Sequence, residues 1–287
     1  MAVRGPFLKH AMRNLFISAM LFIASIKTVA AQEYSVIDTV RAIVYYDYHF
    51  NETAGKPQTK RLLQMQLEIG DKYSRFQSSS NAYKDSLLAV YQHLPVQEAV
   101  TKILPMVLGM ESHSYASYRV LKNYPNSNKI SVFSRLDGNN YHSEEDLKLR
   151  WQINTERDTT IINLRCLMAT TSYGGRDYVA WFAPDVPISD GPYKFCGLPG
   201  VIVQIADTEN EHKFVLQGVR NGLNLPMYKA QERTQKVTPK ELVRAFYDEN
   251  ANRAKRLAAT ITESSDPNIM ARISQRTKGI NNYIERY

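Results

Sequence analysis

Residues 191–207 read GPYKFCGLPGVIVQIAD. Three glycines and two prolines stand directly before a run of strand formers, and the reading of this stretch decides the fold. A phosphate-cradling loop would follow a strand, open a helix and carry a Lys-Ser/Thr pair at the helix start. Here Gly200 leads into Val201-Ile202-Val203-Gln204-Ile205, which reads as a strand, and no such pair follows. Leu198-Pro199-Gly200-Val201 fits a type II turn, with proline at the second position and glycine where φ is positive. Gly197 is read as letting the backbone approach a neighbour closely. The stretch therefore predicts a turn that feeds an interior strand and performs no chemistry at that spot.

Working outward, the strongest hairpin signal lies just upstream. TTIINLRCLMATTSY (159–173) and RDYVAWFA (176–183) flank Gly174-Gly175, and a two-residue Gly-Gly loop between strand formers predicts a type I′ turn. Paired residue numbers should then sum to 349, placing Met168 opposite Trp181. Met168, Val179 and Trp181 fall on one face, and Leu167, Tyr178 and Phe182 on the other. Both faces are partly apolar, which predicts a central hairpin covered on each side, with Trp181 in the core.

Downstream, GVIVQIAD (200–207) and HKFVLQGVR (212–220) form a second predicted hairpin. Upstream, SVIDTVRAIVYYDYHF (35–50) reads as a strand, and Leu63, Met65, Leu67 and Ile69 alternate with polar residues at period two. KYSRFQS (72–78) reads as their return strand. Apolar spacing of three and four predicts a helical insertion over about 80–108. Strand signals resume with HSYASYRVLKN (113–123), KISVFSRL (129–136) and RWQIN (150–154). Thr238-Pro239-Lys240-Glu241 is a capping box with proline at the first helical position, and Asp266-Pro267 opens a helical tail over 263–287. Strands followed by helices, without βαβ alternation, predict an α+β fold. Its expected form is a curved, half-barrel-like, mainly antiparallel sheet with helices packed against it, a single domain over 32–262.

The first 31 residues read as a secretory signal peptide. Arg4, Lys9 and Arg13 precede the apolar run LFISAMLFIASI (15–26), and small residues lead to a cleavage point at Gln32. The expectation is an exported chain with no transmembrane segment. Of 36 Lys and Arg the leader holds four, which leaves 32 against 28 Asp and Glu, a net +4 with interleaved signs. No basic stripe with interleaved aromatics is present, so nucleic acid is excluded as an expected partner. Cys166 and Cys196 remain, and an even pair in an exported chain predicts a disulfide, with two buried free thiols as the alternative. Closing a loop of about 30 residues would stabilise by roughly 3.5 kcal/mol in the entropic model.

Gly197-Leu198-Pro199-Gly200-Val201-Ile202 resembles the Gly-Leu-Pro-Gly-Leu-Ile signature of the GLPGLI family of bacteroidetes envelope proteins, with valine for the usual leucine at 201. The resemblance extends to Cys166…Ala169-Thr170…Gly175-Arg176…Tyr178…Ala180-Trp181, to Pro187…Gly191-Pro192…Lys194-Phe195, and to Leu67-Glu68-Ile69-Gly70-Asp71-Lys72. It implies a periplasmic or cell-surface protein of bacteria such as Porphyromonas and Bacteroides, and carries over no activity.

The search for chemistry yields few candidates. No HExxH pair and no Gly-x-Ser-x-Gly elbow occurs. Glu111 and His113 could share a strand face, and His142 stands beside acids, but a solvated edge is the plainer reading. No catalytic, cofactor or metal residue is expected. Arg176 and Tyr178, beside the tight turn, are the candidate ligand contacts, with an internal ion pair as the alternative for Arg176. Tyrosines over a sheet could line a groove for lipid or peptide. The expected role is a non-catalytic binding, carrier or accessory factor of the periplasm. The alternatives are a hydrolase of envelope material and an accessory subunit of an outer-membrane transport system.

Overall fold

The computed structural model describes residues 33–108, 110, 116–261 and 281–287. The predicted leader, Glu111, His113 and residues 263–280 of the predicted tail lie outside the described residues.

Thirteen strands among the described residues join one sheet. They are β1 (Glu33–Asn51), β2 (Lys60–Gly70), β3 (Ser74–Ser78), β4 (Tyr118–Lys122), β5 (Lys129–Leu136), β6 (Asn139–Asp146), β7 (Gln152–Ile161), β8 (Leu164–Tyr173), β9 (Arg176–Ala183), β10 (Val201–Asp207), β11 (His212–Arg220), β12 (Leu225–Gln231) and β13 (Gln235–Val237). The order runs β13-β6-β5-β4-β3-β2-β1-β11-β10-β9-β8-β7, and β12 pairs with the start of β1. Neighbours are antiparallel except β13 with β6. Three α-helices among the described residues accompany the sheet: α1 (Ser79–Tyr91), α2 (Val96–Val107) and α3 (Pro239–Ile261).

The α+β expectation is thereby corrected. The described residues are mainly β, and the helices among them are too few to form a second layer. The periodicity of α1, α2 and α3 identifies helices but not their share of the architecture. The inner face of the sheet is covered largely by the chain's own loop and by an extended segment, as described below. Residues 281–287 carry no helix, so the predicted helical tail is also corrected at its end.

Alternation builds the core. Val44, Tyr46, Tyr48 and Phe50 of β1 point inward with Leu63, Met65 and Leu67 of β2, Phe76 of β3, Val120 of β4 and Val132 of β5. Tyr48 stacks on Phe214 with centroids 4.2 Å apart, and its hydroxyl meets His212 Nδ1 at 2.8 Å. The Tyr46 hydroxyl donates to the Ile202 carbonyl at 2.8 Å. Each such ring contributes about 1.5–3 kcal/mol by leaving water, and each polar tip keeps a partner.

The hairpin register falls where the sequence places it: Met168 pairs with Trp181, and Tyr173 with Arg176. Gly174 and Gly175 have φ of +56° and +76°, as a type I′ turn requires. Its position does not match. β8 lies beside the edge strand β7, with β9 next in from it, and only the face of Tyr178, Ala180 and Phe182 is fully buried. Trp181 is half-buried against the core rather than inside it.

The outer face around β2, β3 and β4 is polar. Gln66, Glu68, Arg75 and Gln77 are buried there, so α1 covers polar side chains rather than an apolar stripe. No helix among the described residues is long and apolar enough to cross a membrane.

Candidate functional site

The motif residues 191–200 belong to a loop that crosses the inner face between β9 and β10. Asp190 anchors it by accepting from Lys122 Nζ and, at 2.5 Å, from the Ser74 hydroxyl. Lys122, 1% exposed, also donates to the Gly191 carbonyl at 2.6 Å. Phe195 is fully buried against Tyr178, with centroids 4.6 Å apart, and Trp151 Nε1 donates to the Cys196 carbonyl at 2.8 Å. Pro192 and Leu198 are buried, whereas Pro199 is exposed.

The loop does turn into an interior strand, since Val201, Ile202, Val203 and Ile205 are fully buried. Its geometry differs from the expectation in two places. Gly200 N donates to the Leu198 carbonyl at 2.8 Å, a three-residue turn in place of type II. Close approach belongs to Gly200, where a Cβ would fall on the Ala183 carbonyl, and to Gly191, where it would lie 2.6 Å from Ile202. Gly197 has open space around it and serves through its φ of +89°.

The predicted disulfide is corrected: Cys166 and Cys196 are both free and buried. Their thiols point to separate acceptors, the Leu164 carbonyl at 3.4 Å and the Lys194 carbonyl at 3.6 Å. Burial raises the Cys166 pKa and pushes that of Cys196 to about 11, so neither is poised as a thiolate nucleophile.

Arg176 and Tyr178 are engaged by the chain's own segment 281–287. Arg176, its side chain 1% exposed, holds Asp207 at 2.6 Å and Glu211 at 3.3 Å. Its second terminal nitrogen, Nη2, donates to Asn282 Oδ1 at 2.5 Å and to the Tyr283 carbonyl at 3.0 Å. The Tyr178 hydroxyl donates to the Ile284 carbonyl at 2.9 Å. Arg286 N donates to the Gly174 carbonyl at 2.6 Å, which lays the segment directly over the type I′ turn. A Cβ at Gly174 would lie 2.7 Å from Glu285, and one at Gly175 would fall on the Arg286 carbonyl. Glycine is therefore required twice here, by φ and by the strap above it.

Lys194 completes this lock. Its ammonium, 3% exposed, lies 2.6 Å from Glu285 and 2.5 Å from Glu145, and Tyr193 donates to Glu285. Burial works against the Lys194 charge, but Glu285 and Glu145 outweigh it and raise the pKa. Asp207, Glu209 and Glu211 gather their oxygens within 4.8 Å of one another. Arg176 and Arg286 already pair with all three, with Arg286 2.6 Å from Glu211 and 2.8 Å from Glu209. Among the histidines, His212 is held neutral by burial and by Arg176, and His142 stacks on Phe133 at 4.3 Å.

The charged groups of the outer face are less fully matched. Under α1, a cleft of about 310 Å³ is framed by β3, β4, β5, β12 and the first residues of β1. Five cations line it (Arg75, Lys84, Arg119, Arg135 and Lys229) against Asp85 and Glu232. Arg119 is held by Asp85 through two bonds of 2.7 Å, and Arg75 by Glu68 at 2.5 Å. Lys84 and Arg135 have no ion-pair partner among the described residues. Lys229 Nζ lies 4.5 Å over the Phe133 ring and donates to the Ala230 carbonyl at 3.3 Å, again without a carboxylate. Burial lowers the pKa of both Lys84 and Lys229. An accessible anion is the species this arrangement can hold. A second cleft, of about 400 Å³ beside β7, β8 and β9, has balanced charge, with Arg150 and Asp177 on its walls.

None of the cleft residues was singled out from sequence, yet a signal exists. Arg75, Arg119 and Arg135 all fall at outward positions of β3, β4 and β5, and the pairing of those three neighbouring strands gathers them on one face.

Residues 108–204 match the family model Porph_ging, described as a protein of unknown function. The match runs from the end of α2 to the middle of β10 and includes the loop 184–200. No curated protein matches the chain. Among solved structures, PNGF-II in its P21 and C2 crystal forms aligns with 74% of this chain at 10% identity, with TM-scores of 0.47 and 0.46. The chain spans about one third of the length of those proteins, 34% and 33% respectively.

Proposed function

We propose that the protein is an exported, non-catalytic binding factor of the bacterial envelope, of the GLPGLI type its motif resembles, and that it takes an anionic ligand in the cleft under α1. The observation that carries this reading is the excess of cations on the cleft wall, two of them without partners. The Lys84 and Lys229 ammoniums are partly withdrawn from water, which costs free energy that a bound anion recovers, and Arg135 stands exposed at the rim. The volume suits a small organic molecule. On the inner face, by contrast, Arg176, Lys194 and Lys122 are committed to internal carboxylates, which fits a scaffold role for the motif region.

Thermal unfolding at low ionic strength, with sodium citrate or choline chloride at matched ionic strength, tests the reading. Citrate should raise the midpoint in the protein and not in a Lys84→Gln/Arg135→Gln variant. An equal effect on both proteins, or none on either, would contradict it.

A further inference from the structure

The chemistry of the cleft narrows the ligand further, and this step rests on the binding function proposed above. We propose that the cleft recognises a phosphate monoester, with the phosphate held among Lys84, Arg135 and Lys229 and its organic part lying on the apolar wall.

Charge balance separates phosphate from carboxylate. Arg119 and Arg75 are neutralised by Asp85 and Glu68. Beyond those pairs the wall carries Lys84, Arg135 and Lys229 and one further acid, Glu232, which has a partner of its own, so the formal surplus is two positive charges. A carboxylate cancels one of these. A phosphate monoester carries about −1.5 to −2 near pH 7 and cancels both.

Donor geometry points the same way. A phosphate monoester presents three strong acceptor oxygens, and the three cations without a carboxylate partner come from three elements: Lys84 from α1, Arg135 from β5 and Lys229 from β12. They offer two ammonium groups and one planar guanidinium fork, a donor set suited to phosphate. Tyr34 adds a neutral donor. Its hydroxyl has no hydrogen-bond partner among the described residues, and burial raises its pKa, so it stays protonated. The cleft is also larger than a bare phosphate. Leu88 and Leu121 contribute apolar wall on opposite sides, one from α1 and one from the sheet, where the esterified group would lie.

The test compares phenyl phosphate with benzoate, which share a ring and differ in the anion, by isothermal titration at pH 7.5 and low salt. Phenyl phosphate should bind at least about tenfold more tightly. Arg135→Gln and Lys84→Gln should each weaken it about tenfold, with circular dichroism showing the fold retained. Benzoate binding as well as or better than phenyl phosphate would overturn the phosphate assignment and leave anion binding standing. Binding of neither would overturn both. Two further arms separate the sources of a phosphate monoester. Saturation by glycerol 3-phosphate, without sedimentation on vesicles of phosphatidic acid in phosphatidylcholine, supports a soluble ester. Sedimentation on those vesicles, and not on phosphatidylcholine alone, supports a lipid headgroup.

Discussion

Replacing Gly175 by alanine separates the strap from the turn beneath it. Two costs arise. The residue has φ of +76°, a conformation that a side chain makes unfavourable by about 1–2 kcal/mol. The new Cβ would also fall on the Arg286 carbonyl, backbone that cannot rotate away, so segment 281–287 must lift. Lifting it breaks the Arg286 N–H bond to Gly174 and loosens the Glu285–Lys194 pair, which together cost about a further 2–3 kcal/mol. The expected total is about 3–5 kcal/mol. Gly138 supplies the control, with φ of +80° and nothing within 4 Å of a built Cβ, so Gly138→Ala should cost only the 1–2 kcal/mol of strain. Urea unfolding at pH 7 measures both, and amide hydrogen exchange should show lost protection at 282–286 in Gly175→Ala alone. Equal destabilisation by the two variants would refute the placement of the strap over the turn.

Other outcomes follow from the same geometry. Arg176→Met leaves Asp207 buried without its cation and should destabilise by about 3–5 kcal/mol in urea unfolding, far more than Arg165→Met at an exposed pair. Ellman's reagent should find both thiols only after denaturation, and the native protein's intact mass should not change on reduction. His212 has a folded pKa well below its ordinary 6.5, so its contribution is complete above pH 6.5 and is lost as pH falls toward the folded value. Unfolding free energy should therefore decline on acidification by up to about 1.4 kcal/mol per pH unit more in the protein than in His212→Gln. Phenyl phosphate affinity should weaken below about pH 6, where the ester takes up a proton. It should weaken again in alkali, where Lys84 and Lys229 lose theirs at a pH below the ordinary lysine value of 10.5.

Local patterns made much of the sheet legible. The Gly-Gly turn set the β8–β9 register, and the Thr238 hydroxyl and Glu241 carboxylate form the reciprocal cap that their spacing predicts. What spacing could not convey was which distant segments meet. Arg176 reads as a ligand contact because the sequence does not show Asn282 and Tyr283 returning to its side. An even pair of cysteines predicts a bridge until their side chains are seen facing different carbonyls. The cleft draws on α1, β3, β4, β5 and β12, elements brought together only by the folded sheet, and its arginines resemble ordinary surface charge when each strand is read alone. The weight given to helices misled on fold class, because periodicity reports the helices but not what covers the sheet.

The central claim divides the molecule into an inner face closed by its own loop and strap and an outer cleft open to an anion. Amide chemical-shift mapping during a phenyl phosphate titration tests that division most directly. The account predicts saturable shifts at Lys84, Arg135 and Lys229 and their strand neighbours, with 191–200 and 282–286 unmoved. Shifts centred on Arg176 or the 191–200 loop, with the cleft silent, would contradict it.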